Sequence, residues 1–270
     1  MIKTPLRYPG GKAKAVKKLK EFTEIQFNEY REPFIGGGSL FIYLKQIHPG
    51  KKFWINDLNP DVYSFWKSCQ DNIDAVLAGI KDFKSSYQDG KKLFKDLINI
   101  DASALDTTER AVRFFVLNRI SFSGTTESGG YSSSAFNTRF TDSSIDRVEK
   151  LATLLDDNVK ITNLDYSEVL NSETEDAKNI LVYLDPPYYI ASKSKLYGKN
   201  GNLHLSFDHE RFCRDILKSQ LNWFISYDNS EYIRENFKSA KLHSWQFQYG
   251  MNNYQKDHCE IGKELIISNY

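Results

Sequence analysis

From about residue 60 to residue 157 the chain shows no strand pattern, whereas both of its ends alternate short apolar runs with helical segments. This break constrains the fold most, because strands of one sheet must then meet across a long helical interruption. At the first end, Glu32-Pro33-Phe34-Ile35 reads as a strand entering Gly36-Gly37-Gly38-Ser39, and Leu40, Phe41, Leu44 and Ile47 continue at helical spacing. Ala13, Val16, Leu19 and Phe22 predict a helix over 12 to 22. Residues 52 to 56 read as the second strand, ending at Asp57. Strands resume at 159 to 164, 179 to 184, 222 to 227, around 241 to 249 and 264 to 269. Between them, 61 to 80, 91 to 99 and 107 to 120 predict helices. The stretch 121 to 144 is rich in Ser, Thr and Gly and too long for an idle loop, so a hairpin or mobile functional element is expected there. The expected fold is α/β, with segments 1–60 and 158–270 forming one sheet domain and 61–157 an inserted, mostly helical lobe.

Two features of the first unit point to a nucleotide-like ligand. Strand, glycine loop and helix form the first unit of a nucleotide-binding α/β fold, and Asp57 follows the glycines by about 20 residues, as a ribose-binding acid does. Composition adds bounds. With 40% hydrophobic and 26% charged residues, and no 18-residue apolar run or signal-peptide pattern, the chain reads as a soluble protein of the cytoplasm. Cys69, Cys213 and Cys259 are widely spaced and suggest reduced thiols. His204, His209 and His258 lack metal-ligand spacing, so no metal is assigned. The net charge of +1 hides an asymmetry: Lys3, Arg7, Lys12, Lys14, Lys17, Lys18 and Lys20 precede the first acidic residue, Glu21. Such a face suits phosphate as well as solvent.

The chemistry is concentrated in Asp185-Pro186-Pro187-Tyr188, which follows the apolar run 179 to 184. Ligands of open α/β sheets gather at the carboxyl ends of strands, so a carboxylate, two rigid prolines and an aromatic are placed there to handle a planar polar group such as adenine. The exocyclic amine of adenine is a poor nucleophile because its lone pair is delocalised into the ring. Asp185 would accept a hydrogen bond from one amine proton and the Pro186 carbonyl from the other, Pro186 and Pro187 would hold the acceptors rigidly, and Tyr188 would stack on the base. A carboxylate there also favours the positive charge that develops on the nitrogen during methyl transfer.

In order, Leu6-Arg7-Tyr8-Pro9-Gly10-Gly11-Lys12, Glu32 to Phe41, Asn56-Asp57, Asn163-Leu164-Asp165-Tyr166, Asp185 to Tyr188 and Glu264 to Tyr270 resemble the motifs of the Dam-like, D12-class, alpha-group DNA N6-adenine methyltransferases. The resemblance covers nearly the whole chain. It implies a Rossmann-like, class I S-adenosylmethionine-dependent methyltransferase sheet and methyl transfer to adenine in duplex DNA. It implies a cofactor site of Tyr8, Lys12, Phe34, Gly36, Gly38, Asp57, Asp165 and Asp185. The insertion would be the target-recognition lobe, with Asn118-Arg119 followed by a hairpin flanked by Ser121 to Gly124 and Phe136 to Phe140. Arg7, Asn118, Arg119, Ser123, Asn137 and Arg139 would contact DNA, with Arg139 suited to guanine and Asn137 to adenine. Arg119 could equally hold phosphate or tie the hairpin to the helix before it. Residues 125 to 134 depart from the pattern of members that read GATC, so no recognition sequence is carried over.

Such enzymes flip the target base out of the duplex, work without membrane or metal, and can stand beside a cognate restriction endonuclease, as monomer or weak dimer. The same loop would also suit an RNA adenine or a cytosine N4 amine. A non-catalytic DNA-binding descendant is disfavoured by the presence of Asp185, Gly36 and Asp57. A dinucleotide-dependent oxidoreductase gives no reason for Asp185 to Tyr188.

Overall fold

The computed structural model describes residues 1–8, 10–189, 207–248 and 261–270. Pro9, His204, His258 and Cys259 lie outside the described residues. Seven strands form one sheet: β1 (Glu29–Glu32), β2 (Lys52–Asn56), β3 (Val159–Thr162), β4 (Ile180–Leu184), β5 (Asn222–Asp228), β6 (Lys241–Gln248) and β7 (Ile261–Ser268), in the order β3-β2-β1-β4-β5-β7-β6. The first five run parallel, and β7 is antiparallel to both β5 and β6. This strand order, with one antiparallel strand inserted beside β5, agrees with the Rossmann-like class I sheet that the resemblance implies. Strand order reverses between β1 and β4, where such sheets open a crevice at the carboxyl ends of the strands.

Alternation along β4 shows why the sheet is covered on both faces. Leu181 and Tyr183 join the core that includes Tyr30, Phe53 and Phe224, while Ile180, Val182 and Leu184 join the opposite core with Phe212, Trp223 and Ile225. The continuous apolar run is that of a parallel strand buried on both sides.

The N-terminal helical expectation resolves into a 3-10 turn at Lys12–Lys14, helix α1 (Val16–Leu19) and a second 3-10 turn at Lys20–Thr23. Strand β1 ends at Glu32, three residues earlier than the sequence pattern suggests. Pro33 lacks the N–H a ladder needs, so Pro33 to Ile35 form the turn into the glycines instead. Helix α2 (Ser39–Ile47) follows, and the chain between β2 and β3 forms α3 (Pro60–Asp71), α4 (Ile73–Ser86), α5 (Gly90–Ile98), α6 (Thr107–Ile120), α7 (Ser133–Arg139) and α8 (Asp142–Ala152). Asn72, at φ −153° and ψ 60°, separates α3 from α4 where one helix over 61 to 80 was expected. Phe65, Trp66, Val112 and Phe115 of these helices belong to the same core as the sheet face carrying Tyr183.

The expected hairpin after residue 121 is not formed. A single antiparallel bridge, Ser121 to Tyr131, encloses two 3-10 turns, and α7 replaces the second flank. The physical reason lies in the short polar side chains. Ser132 Oγ accepts the Ala135 N–H at 3.2 Å and Thr141 caps α8, so these residues start helices rather than pair strands. The remaining helices are α9 (Tyr166–Leu170), α10 (His209–Lys218) and α11 (Glu231–Asn236). No helix among the described residues is long and apolar enough to cross a membrane.

Candidate active site

The loops after β1, β2 and β4 meet at the strand-order reversal. Asp185, directly after β4, accepts on one oxygen, Oδ1, from Ser226 Oγ at 2.7 Å and from the Lys12 ammonium at 2.9 Å. Tyr183 Oη lies 2.8 Å from Ser226 Oγ, and since that serine's proton points to Asp185, the tyrosine donates. Oδ2 of Asp185 has no partner among the described residues. Lys12 is itself buried; its Nζ donates to the Gly10 carbonyl at 3.1 Å and sits 4.8 Å from the Tyr188 ring centre. Tyr188 has its other neighbour in Tyr227, 5.8 Å between ring centres, and burial pushes its hydroxyl well above the usual range. Tyr189 is more open and stacks on Tyr232 at 4.2 Å, the two rings 10° from parallel.

The glycine loop is shaped by its backbone angles and by the rings packed against it. Gly36 (φ +43°) and Gly38 (φ +62°) both adopt backbone angles that disfavour side chains. The space a Cβ would need is filled from within: a Cβ on Gly36 would stand 2.9 Å from the Tyr8 ring, and one on Gly38 would stand 2.5 Å from the Trp66 indole. These glycines admit Tyr8 and Trp66 to the loop, and Trp66 Nε1 then donates to the Gly36 carbonyl at 3.0 Å. Asp57 fixes the same loop, accepting the Gly36 N–H and the Asn59 N–H at 2.9 Å each. Burial pushes its carboxyl up to about 6 even though both N–H groups pull it down. Phe34 packs among Tyr166, Phe207 and Phe212.

Asp165 caps α9, and its carboxylate takes the Arg211 guanidinium at 2.8 Å and 3.3 Å. Burial alone would raise it, but the hydrogen bonds from Ser167 and Arg211 hold it below the usual carboxylate range. Glu32, at the end of β1, accepts from Tyr30 Oη at 2.6 Å and the Phe41 N–H at 3.1 Å, and burial lifts its carboxyl to about 8. Asp185 and Asp57 both add to that rise.

The residues expected to contact DNA divide into two groups. Asn118 is fully buried: it accepts the Arg7 N–H at 2.9 Å and donates to the carbonyls of Arg7 at 2.6 Å and Gly124 at 3.0 Å. Arg119 is buried too, donating to the carbonyls of Arg139 at 2.8 Å and Pro5 at 2.9 Å. Burial, with Arg7, Arg147 and Arg139 nearby, lowers Arg119 to about 9. Both side chains bind the N-terminal segment to the inserted helices, the alternative the sequence allowed for Arg119. By contrast Asn137 and Arg139 are exposed on α7, and Ser123 and Arg7 are half-buried.

Three residues of the site went unassigned in the sequence: Ser226, Arg211 and Glu264. Ser226 and Glu264 left a trace there, since a serine interrupts the apolar run of β5 and a glutamate opens that of β7. Arg211 left none, being one cation among many on a helix. Among the described residues no group of three or more His, Cys, Asp or Glu side chains could hold a metal ion.

A family described as "D12 class N6 adenine-specific DNA methyltransferase" matches residues 8–251. The type II methyltransferase M.MjaIII of Methanocaldococcus jannaschii is 28% identical over 219 residues, covering 73% of this chain and 72% of its own. The type II methyltransferase M1.LlaDCHI of Lactococcus lactis subsp. cremoris is 25% identical, covering 98% and 94% respectively. A DNA adenine methylase of Haemophilus influenzae is 23% identical, covering 97% and 91%.

Proposed function

The chain belongs to the D12 class of N6 adenine-specific DNA methyltransferases, and from that premise we propose that the residues gathered around Lys12 carry the reaction on an adenine flipped out of duplex DNA. The observation that carries this reading is the half-used carboxylate of Asp185. Ser226 and Lys12 hold it through Oδ1, and we assign to Oδ2 the hydrogen bond from one proton of the target amine. The Pro186 carbonyl is the acceptor for the second, held by a backbone with fixed φ. Tyr188 and Tyr189 are the aromatic walls that offset the cost of unstacking, roughly a few kcal/mol.

The methyl donor is S-adenosylmethionine, which when bound supplies an electrophilic methyl group on a sulfonium cation. The site fits such a cation, because Asp57, Asp185 and Glu264 interact electrostatically through Glu32 and Lys12, and with one lysine among them they leave negative charge in surplus. We assign the ribose hydroxyls to Asp57, whose oxygens each retain a lone pair, and the adenine side to Asp165, with Phe34, Tyr8 and the Gly36 to Gly38 loop completing the wall. Pro186 and Pro187 need no movement to present their carbonyls, which is where positioning lowers the barrier.

Residues 61 to 157 serve in this reading as the target-recognition lobe. Arg7 and Arg139, close enough to lower the Arg7 pKa beyond the effect of burial, form with Ser123 and Asn137 a basic, partly exposed face for the DNA. The type II methyltransferases among the relatives favour a modification role opposite a restriction endonuclease, acting in the cytoplasm. The test is incubation of the chain with labelled S-adenosylmethionine and unmethylated genomic DNA, followed by nucleoside analysis and single-molecule sequencing. N6-methyladenine at one short motif is expected; label in RNA, or in N4-methylcytosine, would move the acceptor.

A further inference from the structure

Glu264 is 1% exposed, and among the described residues neither of its carboxylate oxygens has a hydrogen-bond partner. A buried carboxylate left doubly unsatisfied is rare, since each lost partner costs about 1 to 3 kcal/mol, and it calls for a reason. Its setting supplies one. Glu264 lies in β7, paired in register with Asp228 of β5 and Trp245 of β6. The groups that act on it are Lys12 from the N-terminal turn, Asp185 and Tyr188 from the loop after β4, and Asp228. The Tyr188 hydroxyl is also buried; it makes no hydrogen bond of ordinary geometry among the described residues, but it lies close enough to the Glu264 carboxylate to lower its pKa as a weak donor does.

Lys12 links these groups. An ammonium has three donors; one goes to Asp185, one to the Gly10 carbonyl, and no described acceptor takes the third. Lys12 is thus bonded to Asp185 and also acts electrostatically on Glu264, which lowers the Glu264 pKa. When Glu264 is ionised it draws on the charge of Lys12, and Asp185 keeps more of its own negative potential for the amine. A neutral Glu264 leaves Lys12 to Asp185 alone and weakens the acceptor.

We propose that Glu264 is a positioning residue for methyl transfer: through Lys12 it sets how much negative charge Asp185 presents to the target amine. This rests on Asp185 being the acceptor carboxylate. Burial, with Asp185 and Asp228 adding to it and Lys12 and Tyr188 opposing it, lifts the Glu264 carboxyl to about 7. The ionised form is therefore present above that pH and lost as pH falls through it, so the rate should fall on the acid side with a midpoint near neutrality.

The test is single-turnover methylation of unmethylated genomic DNA by the full chain, with labelled S-adenosylmethionine, between about pH 5.5 and about pH 9. For Glu264→Gln we expect a rate on the alkaline side lowered roughly 10- to 100-fold, less than the loss of a direct contact. The neutral limb should disappear, with S-adenosylhomocysteine affinity by calorimetry unchanged. A full rate, or a lowered rate with the limb still in place, would overturn the proposal. If Glu264→Gln does not fold, Glu264→Asp decides: a limb moved in pH supports the role, and an unmoved limb refutes it. Asp185→Asn separates the premise from the inference, because an active Asp185→Asn variant would sink the acceptor reading whatever Glu264 does.

Discussion

Two places in this molecule bury polar groups, and they do so in opposite ways. At the junction of the N-terminal segment with α6, Asn118 and Arg119 lie inside the protein with their hydrogen bonds spent on the backbone of Pro5, Arg7, Gly124 and Arg139. Beyond the carboxyl end of β4 and within β7, Asp185 and Glu264 lie near a single lysine, with one oxygen of Asp185 and both of Glu264 unclaimed among the described residues. Saturated polar groups hold a structure together, while unsaturated ones stand ready for a ligand. The first site is architecture and the second is chemistry.

Substitutions should separate the two. Lys12→Met removes the cation that, among the described residues, acts on both Asp185 and Glu264, and should lower the single-turnover rate by about 100-fold while far-ultraviolet circular dichroism keeps its shape. An undiminished rate would break the contrast at its strongest point. Asn118→Ala should do the reverse, destabilising the chain by about 2 to 3 kcal/mol in urea unfolding because buried carbonyls lose their donors. Any surviving folded fraction should bind DNA with unchanged sequence preference, and a changed preference would return Asn118 to the DNA interface.

Asp57→Ala should weaken S-adenosylhomocysteine binding about tenfold by calorimetry, as loss of charged hydrogen bonds does; equal affinity would remove Asp57 from the site. The pH dependence of stability gives a subtler measure. Glu32 titrates near 8, Glu264 near 7 and Asp57 near 6, all above their unfolded values. The folded chain therefore holds protons that the unfolded chain has released, and its stability without ligand should fall as pH rises from about 5 to about 8.5. Glu32→Gln keeps an acceptor for Tyr30 and Phe41 and should flatten the upper part of that fall, by about 1 to 3 kcal/mol at the alkaline end. A slope unchanged by the substitution would contradict the assignment. Arg139→Ala carries the smallest expected effect: relaxed sequence preference marks a base contact, and uniformly weaker binding with a shallower salt dependence marks a phosphate contact.

Much of this was legible in the sequence, and the parts that were not share a cause. Apolar runs placed the seven strands to within a few residues, and a strand-end position made Asp185 conspicuous, because periodicity and punctuation are local properties. Pro33 shortened β1 for a local reason as well. The hairpin expected over 121 to 140 failed because serine and threonine serve caps and turns alike, and only tertiary packing chose the cap at Ser132. The glycines at 36 and 38 were visible, but the rings of Tyr8 and Trp66 that fill their space come from distant segments. The action of Lys12 on both Asp185 and Glu264 joins residues from three separate parts of the chain, and no local pattern encodes it.

The most direct test of the central claim is methylation of unmethylated genomic DNA by Asp185→Ala beside the parent chain, with S-adenosylhomocysteine binding and thermal unfolding recorded on both proteins. The account predicts a folded, ligand-binding variant whose N6-methyladenine yield falls by about 10³-fold or more. A variant that methylates at the parent rate would contradict it.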